Sequence, residues 1–133
     1  MKPKKSLGQN FLSDNKLLSK IVDIGKISNN DTVLEIGPGT GNLTKEIIKK
    51  KPKNLIVVEK DEELSKLLHQ KFGDKITILN EDILACYKNL EIDRPLKVFG
   101  NLPYNISTKI LTLFVKTKNL HEIYKKFMKN DEK

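Results

Sequence analysis

The stretch TVLEIGPGTGNLTKEIIKKKPKNLIVVE, residues 32–59, decides the fold. It opens with TVLEIG (32–37), a short β-branched, apolar run ending in glycine, which reads as a buried strand. NLTKEIIKKK (42–51) carries its apolar residues at helical spacing, and NLIVVE (54–59) is a second strand, apolar until its final carboxylate. Strand, glycine turn, helix and strand follow one another with no low-complexity linker between them.

The alternation continues on both sides. DNKLLSKIVDIGKI (14–27) places Leu17, Leu18, Ile21, Val22 and Ile24 at helical spacing, with Asp14 as its cap. DEELSKLLHQKF (61–72) is a helix with acids in its first turn, the end where the helix dipole favours them. KITIL (75–79) and LKVFG (96–100) read as a third and fourth strand. STKILTLFVK (107–116) is expected to be a helix opened by Ser107, with Ile110, Leu111, Leu113 and Phe114 as its core stripe. Apolar strands alternating with helices predict an α/β fold: a parallel sheet with helices on both faces. Ligands of such sheets bind beyond the carboxyl ends of the strands.

Composition narrows the partner. The 133 residues hold 25 Lys+Arg against 17 Asp+Glu, a net charge of +8, and every basic residue but Arg94 is lysine. That balance suits a polyanion, because phosphates attract lysine without regard to sequence. The single cysteine, Cys86, cannot form an internal disulfide and has no base beside it, so a reducing interior is expected. No run reaches the roughly 18 apolar residues that span a bilayer, and the basic lead of residues 1–10 is followed by no apolar signal core. A cytoplasmic protein with no membrane partner is expected. His69 and His121 read as helix-surface residues, and no cluster at ligand spacing points to a metal. KKKPK (49–53) reads as a solvated helix end that can also touch RNA phosphates.

Four strand ends carry the chemistry. EIGPGTGNLT (35–44) sets Gly37, Gly39 and Gly41 in a turn free of side chains that leads into a helix N-terminus, where a ligand's polar edge can lie against the backbone. Glu59 ends the second strand, about 20 residues further on, and can accept both hydroxyls of a ribose. Asp82, in NEDIL (80–84), can accept from an adenine amino group, and Ile83 can offer its backbone and an apolar flank to the ring. An adenosine-containing cofactor fits these three places. A nicotinamide dinucleotide and S-adenosylmethionine both qualify. Glu35, just before the first glycine, suits a cofactor that carries an ammonium and a sulfonium, and it would repel a pyrophosphate.

The fourth place is FGNLPYNIS (99–107). The exocyclic amine of a base is a poor nucleophile because its lone pair is delocalised into the ring. Two acceptors aimed at its hydrogens favour the tetrahedral shape needed to attack a methyl group: the Asn101 side-chain oxygen and a backbone carbonyl at the Leu102–Pro103 turn. Pro103 stiffens that turn, and Tyr104 can stack on the base, which must be single-stranded or flipped out. Asn101, Pro103 and Tyr104 are therefore the expected catalytic residues.

Together KKSLGQNFL (4–12), EIGPGTGNLT (35–44), VVEKD (57–61), NEDIL (80–84) and FGNLPYNIS (99–107) closely resemble the rRNA adenine N6-dimethyltransferases of the KsgA type. The likeness runs from about residue 4 to about residue 116. It implies a Rossmann-like class I methyltransferase fold, S-adenosylmethionine as cofactor and small-subunit rRNA as substrate. The reaction it implies is transfer of methyl groups to two neighbouring adenosines near the RNA 3′ end, within small-subunit biogenesis. By position it implies that Asn10 and Leu12 contact the cofactor along with Gly37 and Gly39. Glu59 would bind the ribose, Asp82 and Ile83 the adenine, and Asn101 would stand between cofactor and target. Family members continue with more strands and a small helical RNA-gripping domain. Residues 1–133 are thus expected to be the N-terminal part of the cofactor-binding domain, with a sheet incomplete at its C-terminus, acting as a monomer on rRNA or a small-subunit precursor. The rival readings are a resistance-type methyltransferase of large-subunit rRNA and a non-catalytic RNA-binding assembly factor.

Overall fold

The computed structural model of the protein describes residues 14–86, 90, 96–104 and 107–115; at Leu84, Leu96 and from Asn101 onward it describes the backbone alone. The elements in chain order are helix α1 (Asn15–Ile24), strand β1 (Thr32–Ile36), helix α2 (Asn42–Lys49), strand β2 (Asn54–Val58) and helix α3 (Glu62–Phe72). A 3₁₀ turn (Gly73–Lys75), strand β3 (Thr77–Leu79), the one-turn helix α4 (Ile83–Cys86) and strands β4 (Leu96–Tyr104) and β5 (Ser107–Val115) follow. Two helix starts have a carboxylate cap, the first of them expected. Asp14 Oδ1 accepts from the N–H groups of Lys16 and Leu17 at 3.0 and 3.1 Å, and Asp61 Oδ1 accepts from Leu64 N–H at 2.9 Å. Asp61 is thus a structural cap.

The sheet order is β3-β2-β1-β4-β5. β1 pairs in parallel with β2 (Thr32 opposite Asn54) and with β4 (Thr32 opposite Leu96), and β2 pairs in parallel with β3. The chain moves outward from β1 to β3 and then returns to the other side of β1. The order therefore reverses between β1 and β4, the point where open parallel sheets form their binding crevice.

Two features depart from the sequence reading. β4 does not end at Gly100 but continues through Asn101, Leu102, Pro103 and Tyr104, so NLPY is strand backbone and not a turn. The run from Ser107 is strand β5, antiparallel to β4 (Tyr104 opposite Ser107, Leu96 opposite Val115), and not a helix. The physical reason lies in the edge. β4's far side would otherwise present unpaired N–H and C=O groups, and the β-branched Thr108, Ile110, Thr112 and Val115 suit a strand that covers it. Apolar residues at 110, 111, 113 and 114 have helical spacing, and the pairing with β4 overrides it. Pro103 is tolerated because β1 stops opposite Gly100, leaving this part of β4 with a single neighbour in the sheet.

The alternation of strand side chains divides the core. Val33, Leu55, Val57 and Phe99 face Leu18 and Val22 of α1, Leu43 and Ile47 of α2 and Leu68 of α3. Leu34, Ile36, Val58 and Val98 face the other way, toward Ile83 and Cys86 of α4 and toward Leu90. Among the described residues helices lie on both faces, three on one and a single turn on the other. At the amino ends of the strands, Asp31 Oδ2 accepts from Ser28 N–H (2.7 Å) and pairs with Lys97 (2.9 Å), whose ammonium also donates to Lys26 O. Burial pushes the Asp31 carboxyl up, but Lys97 and the Ser28 amide outweigh it and hold the group below its ordinary value.

Ile47 is fully buried between α2 and the sheet, whereas Ile24, at the end of α1, is 62% exposed. Ile47→Ala is expected to lower the unfolding free energy by about 2–5 kcal/mol, and Ile24→Ala to change it by less than about 0.5 kcal/mol, both measured by urea denaturation.

Candidate functional site

Beyond the carboxyl ends of β1 and β2 the backbone forms a cradle. The β1–β2 ladder extends one residue into the glycine loop, where Gly37 N–H donates to Val58 O at 2.9 Å. Gly37, Gly39 and Gly41 all have positive φ, at 67°, 60° and 92°, a conformation that costs a side chain energy. Gly41 has a second constraint, since a Cβ there would come within 2.7 Å of the Phe72 ring and 3.0 Å of Leu68. Gly39 differs: a Cβ would meet nothing within 4 Å, so the loop is open on that side. Gly41 N–H donates to Pro38 O (3.0 Å), and α2 begins directly afterwards.

Glu59 closes the cradle from the β2 side. It is buried, with Oε1 accepting from Gly39 N–H (3.3 Å) and Oε2 from Asp61 N–H (2.9 Å). Its main chain is held too. Its N–H donates to Leu79 O (3.0 Å), and its carbonyl accepts from the Asn80 side-chain amide (3.0 Å) and the Ser65 hydroxyl (3.2 Å). The carboxylate is therefore fixed against the loop, with lone pairs left for further donors.

Glu35 lies beneath this cradle, on the same side of β1 as Val33, and is wholly buried. The Thr44 hydroxyl donates to its Oε1, while Oε2 has no hydrogen-bond partner among the described residues. Burial pushes its carboxyl up to about 8; the Thr44 hydrogen bond pulls the other way, and the neighbouring Glu59 carboxylate adds to the rise. Most Glu35 is then neutral at pH 7. Repulsion of a pyrophosphate by a charged Glu35 does not hold for this form of the protein. A cation brought to Oε2 would favour the ionised state instead.

Asp82 and Ile83 follow the next strand end. Asp82 is exposed, and its carbonyl accepts from Ala85 and Cys86 N–H (2.9 and 3.1 Å), so it opens α4. Ile83 is half-buried against the second-face core. Asn101 follows Gly100, the last β4 residue paired with β1, just as Gly37 follows its partner Ile36. The register thus sets Asn101 and the glycine loop side by side where the sheet order reverses. For Asn101, Pro103 and Tyr104 the backbone alone is described, and Asn10, Leu12 and His121 lie outside the described residues. The structure therefore gathers Gly37, Gly39 and Glu59 into one constellation, with Asp82 and Ile83 at the adjoining strand end. Cys86 is buried, with its thiol pushed up by burial, and it packs with the core. Among the described residues no group of three or more His, Cys, Asp or Glu could hold a metal ion, and no helix is long and apolar enough to cross a membrane.

Sequence reasoning missed several supports. Thr44 lay in the quoted glycine motif but had no partner until Glu35 proved buried. Asn80 heads the NEDIL motif, and its amide ties the β3 end to the carbonyls of Glu59 and Lys60. Lys71 donates to Thr40 O at 2.7 Å and so pins the glycine loop from α3; nothing in a charged helix surface signals that contact.

A reversed parallel sheet with a glycine cradle and an acid at the second strand end is the fold of the Rossmann-like, S-adenosylmethionine-dependent methyltransferases. Within that class the chain belongs to the ribosomal RNA adenine dimethylase family, which matches residues 1–129. It is 58% identical over 115 residues to the ribosomal RNA small subunit methyltransferase A of Pelagibacter ubique, covering 86% of this chain and 44% of that protein. It is 44% identical over 131 residues to the protein of that name from the Wolbachia of Brugia malayi (96% and 49%). Among solved structures it is similar to the 23S rRNA methyltransferase ErmE (32% identity, TM-score 0.62, 73% of this chain and 39% of that one). It is also similar to a dimethyladenosine transferase from Plasmodium falciparum (27%, TM-score 0.57, 68% and 33%). The chain spans less than half the length of each of these relatives.

Glu35 ties stability to pH with a definite sign. Its folded value, about 8, lies above the ordinary 4.5, so the folded state holds the proton more tightly. This contribution is fully present below about pH 4.5 and is lost as pH rises through about 8. Glu35→Gln, which cannot ionise, is expected to flatten the fall in melting temperature between pH 5 and pH 9, as read by thermal denaturation across that range.

Proposed function

We propose that this chain forms the cofactor-binding part of an enzyme that dimethylates N6 of two adjacent adenosines near the 3′ end of small-subunit rRNA, using S-adenosylmethionine. One observation carries the reading: the register sets Asn101 beside the Gly37–Gly41 cradle that Glu59 closes. An amide-bearing residue thus stands in β4 one position past its pairing with β1, at the level where a cofactor would lie against the loop. The 58% identity to a small-subunit methyltransferase supports this substrate over the large-subunit one, which the likeness to ErmE supports more weakly at 32%.

The residues present fit the cofactor. Gly39 opens on free space, and Glu35 keeps an unpartnered buried oxygen that suits a cationic group. In this reading Gly37 and Gly39 line the cofactor, Glu59 accepts from the ribose hydroxyls, and Asp82 with Ile83 receives the adenine. Asn10 and Leu12 close over it. S-Adenosylmethionine supplies an electrophilic methyl group on its sulfonium. The protein's part is to hold the target amine: Asn101 and a neighbouring backbone carbonyl accept its two N–H groups, drawing the nitrogen lone pair out of the ring. In β4 that carbonyl belongs to extended backbone, so Pro103 stiffens a strand end and Tyr104 stacks from it. Action as a monomer in the cytoplasm, on an undermethylated small-subunit precursor, belongs to the same reading.

The test is methyl transfer from radiolabelled S-adenosylmethionine to undermethylated small subunits, with large-subunit RNA in parallel. Label in small-subunit adenines is the expected result. Label confined to large-subunit RNA would move the assignment to the ErmE-like activity, and cofactor binding without transfer would make the chain a binding factor. Asn101→Ala is expected to abolish transfer while leaving cofactor affinity, measured by calorimetry, within about twofold. Glu59→Ala is expected to weaken cofactor binding by about 1–3 kcal/mol, since the ribose hydroxyls lose their acceptor; unchanged affinity would remove the ribose assignment.

A further inference from the structure

Among the described residues only two that are not glycine have positive φ, and both are lysines: Lys26 at 47° and Lys51 at 54°. Each stands just past a helix, Lys26 after α1 and Lys51 after α2. At that position glycine is the favoured residue, because a Cβ is strained in the left-handed region. Backbone economy therefore argues against lysine at both places. Both lie at the amino ends of the strands, the edge opposite the cradle. Contacts tie them together there. Lys97 Nζ donates to Lys26 O (2.6 Å) and pairs with Asp31 (2.9 Å). Asp31 O in turn accepts from Lys53 N–H (2.8 Å). Lys50, next to Lys51, pairs with Asp23 on α1 (2.5 Å).

Three described acids near these lysines are engaged: Asp23 by Lys50, Asp31 by Lys97, and Glu46 by Lys49 at 2.9 Å. Lys26, Lys51 and Lys53 are exposed and have no ion-pair partner among the described residues. Favourable contact with the helix dipole explains a cation near each helix end, but Lys49 and Lys50 already supply that charge at α2. The surplus is positive, exposed and retained at a backbone cost. We infer that Lys26, Lys51 and Lys53 form a second RNA-docking surface, which grips phosphates at the amino edge of the sheet. Five-residue strands of about 3.3 Å per residue put it roughly 16 Å or more from the cradle. It would hold sugar-phosphate backbone without reading sequence, while the opposite edge handles the target base. The choice of RNA as the polyanion rests on the rRNA reading above. The location rests on the two strained lysines.

The test compares the intact chain with the double variant Lys26→Gly/Lys51→Gly and with Lys53→Gln. Binding to a 3′-terminal small-subunit rRNA fragment is measured by filter retention from 50 to 300 mM KCl. The glycine variant relieves the strained backbone, so its melting temperature should hold or rise. Its RNA affinity should fall about 3- to 10-fold at low salt. The slope of log affinity against log salt should become shallower by about two, one for each lost phosphate contact, and by about one for Lys53→Gln. Cofactor affinity should not change. Wild-type affinity and slope in both variants would overturn the surface while leaving the methyltransferase reading intact. Failure of the unaltered chain to bind the fragment at all would overturn the surface, while the methyl-transfer assay tests the rRNA reading separately. Binding of the unaltered chain to phosphatidylglycerol vesicles that is lost in the variants, with RNA binding unmoved, would make the edge a membrane contact and overturn the assignment to RNA.

Discussion

The Gly37 amide donates to the Val58 carbonyl at 2.9 Å, and the site is placed relative to that bond. It carries the parallel ladder of β1 and β2 one residue past the strands, so the glycine loop departs from a fixed point. From there Gly39 reaches the Glu59 carboxylate, and Glu59 is itself held by Leu79, Asn80 and Ser65. Three strand ends are thereby joined by hydrogen bonds that involve backbone at one end or both. A cradle built this way needs few particular side chains beyond one carboxylate and one amide, but it needs glycine where φ is positive. Gly41 carries the tightest constraint, because α3 packs Phe72 and Leu68 against the place a side chain would take.

Much of this was legible in the sequence because the local rules agree with one another. Asp14 announces a helix, the runs at 32–36 and 54–58 announce buried strands, and three glycines between strand and helix announce the cradle. What was not legible depends on burial or on neighbours remote in sequence. Glu35 reads as an ordinary anion until the packing of β1 against α2 removes it from water. The segment from Ser107 reads as a helix because its apolar residues sit at helical spacing, and only its pairing along the edge of β4 overrides that. Lys71 and Asn80 have supporting roles that pairwise geometry alone reveals.

The same sheet presents two chemically different rims. At the carboxyl rim sit open glycine backbone and the carboxylates of Glu59 and Asp82, with Glu35 buried below. At the amino rim sit Lys26, Lys51, Lys53 and Lys97, with Asp23 and Asp31 held in ion pairs. This polarity follows from parallel strands: every crossover returns to the same edge, so residues just after helices collect at one end and residues just after strands at the other.

The place of β4 beside β1, rather than beside β3, also bears on how the chain reaches this structure. Pairing β1 with β2 closes a short crossover through α2, whereas pairing β1 with β4 closes a loop about three times as long. By loop-closure entropy the longer one costs about 1 kcal/mol more before any contact repays it. The β1-α2-β2 unit, with its glycine loop, is the natural early structure, and the sheet then grows outward to β3 on one side. β4 arrives late, and with it the crevice between β1 and β4. The pairing that creates the crevice is therefore the one of β1's two pairings with the larger loop-closure cost.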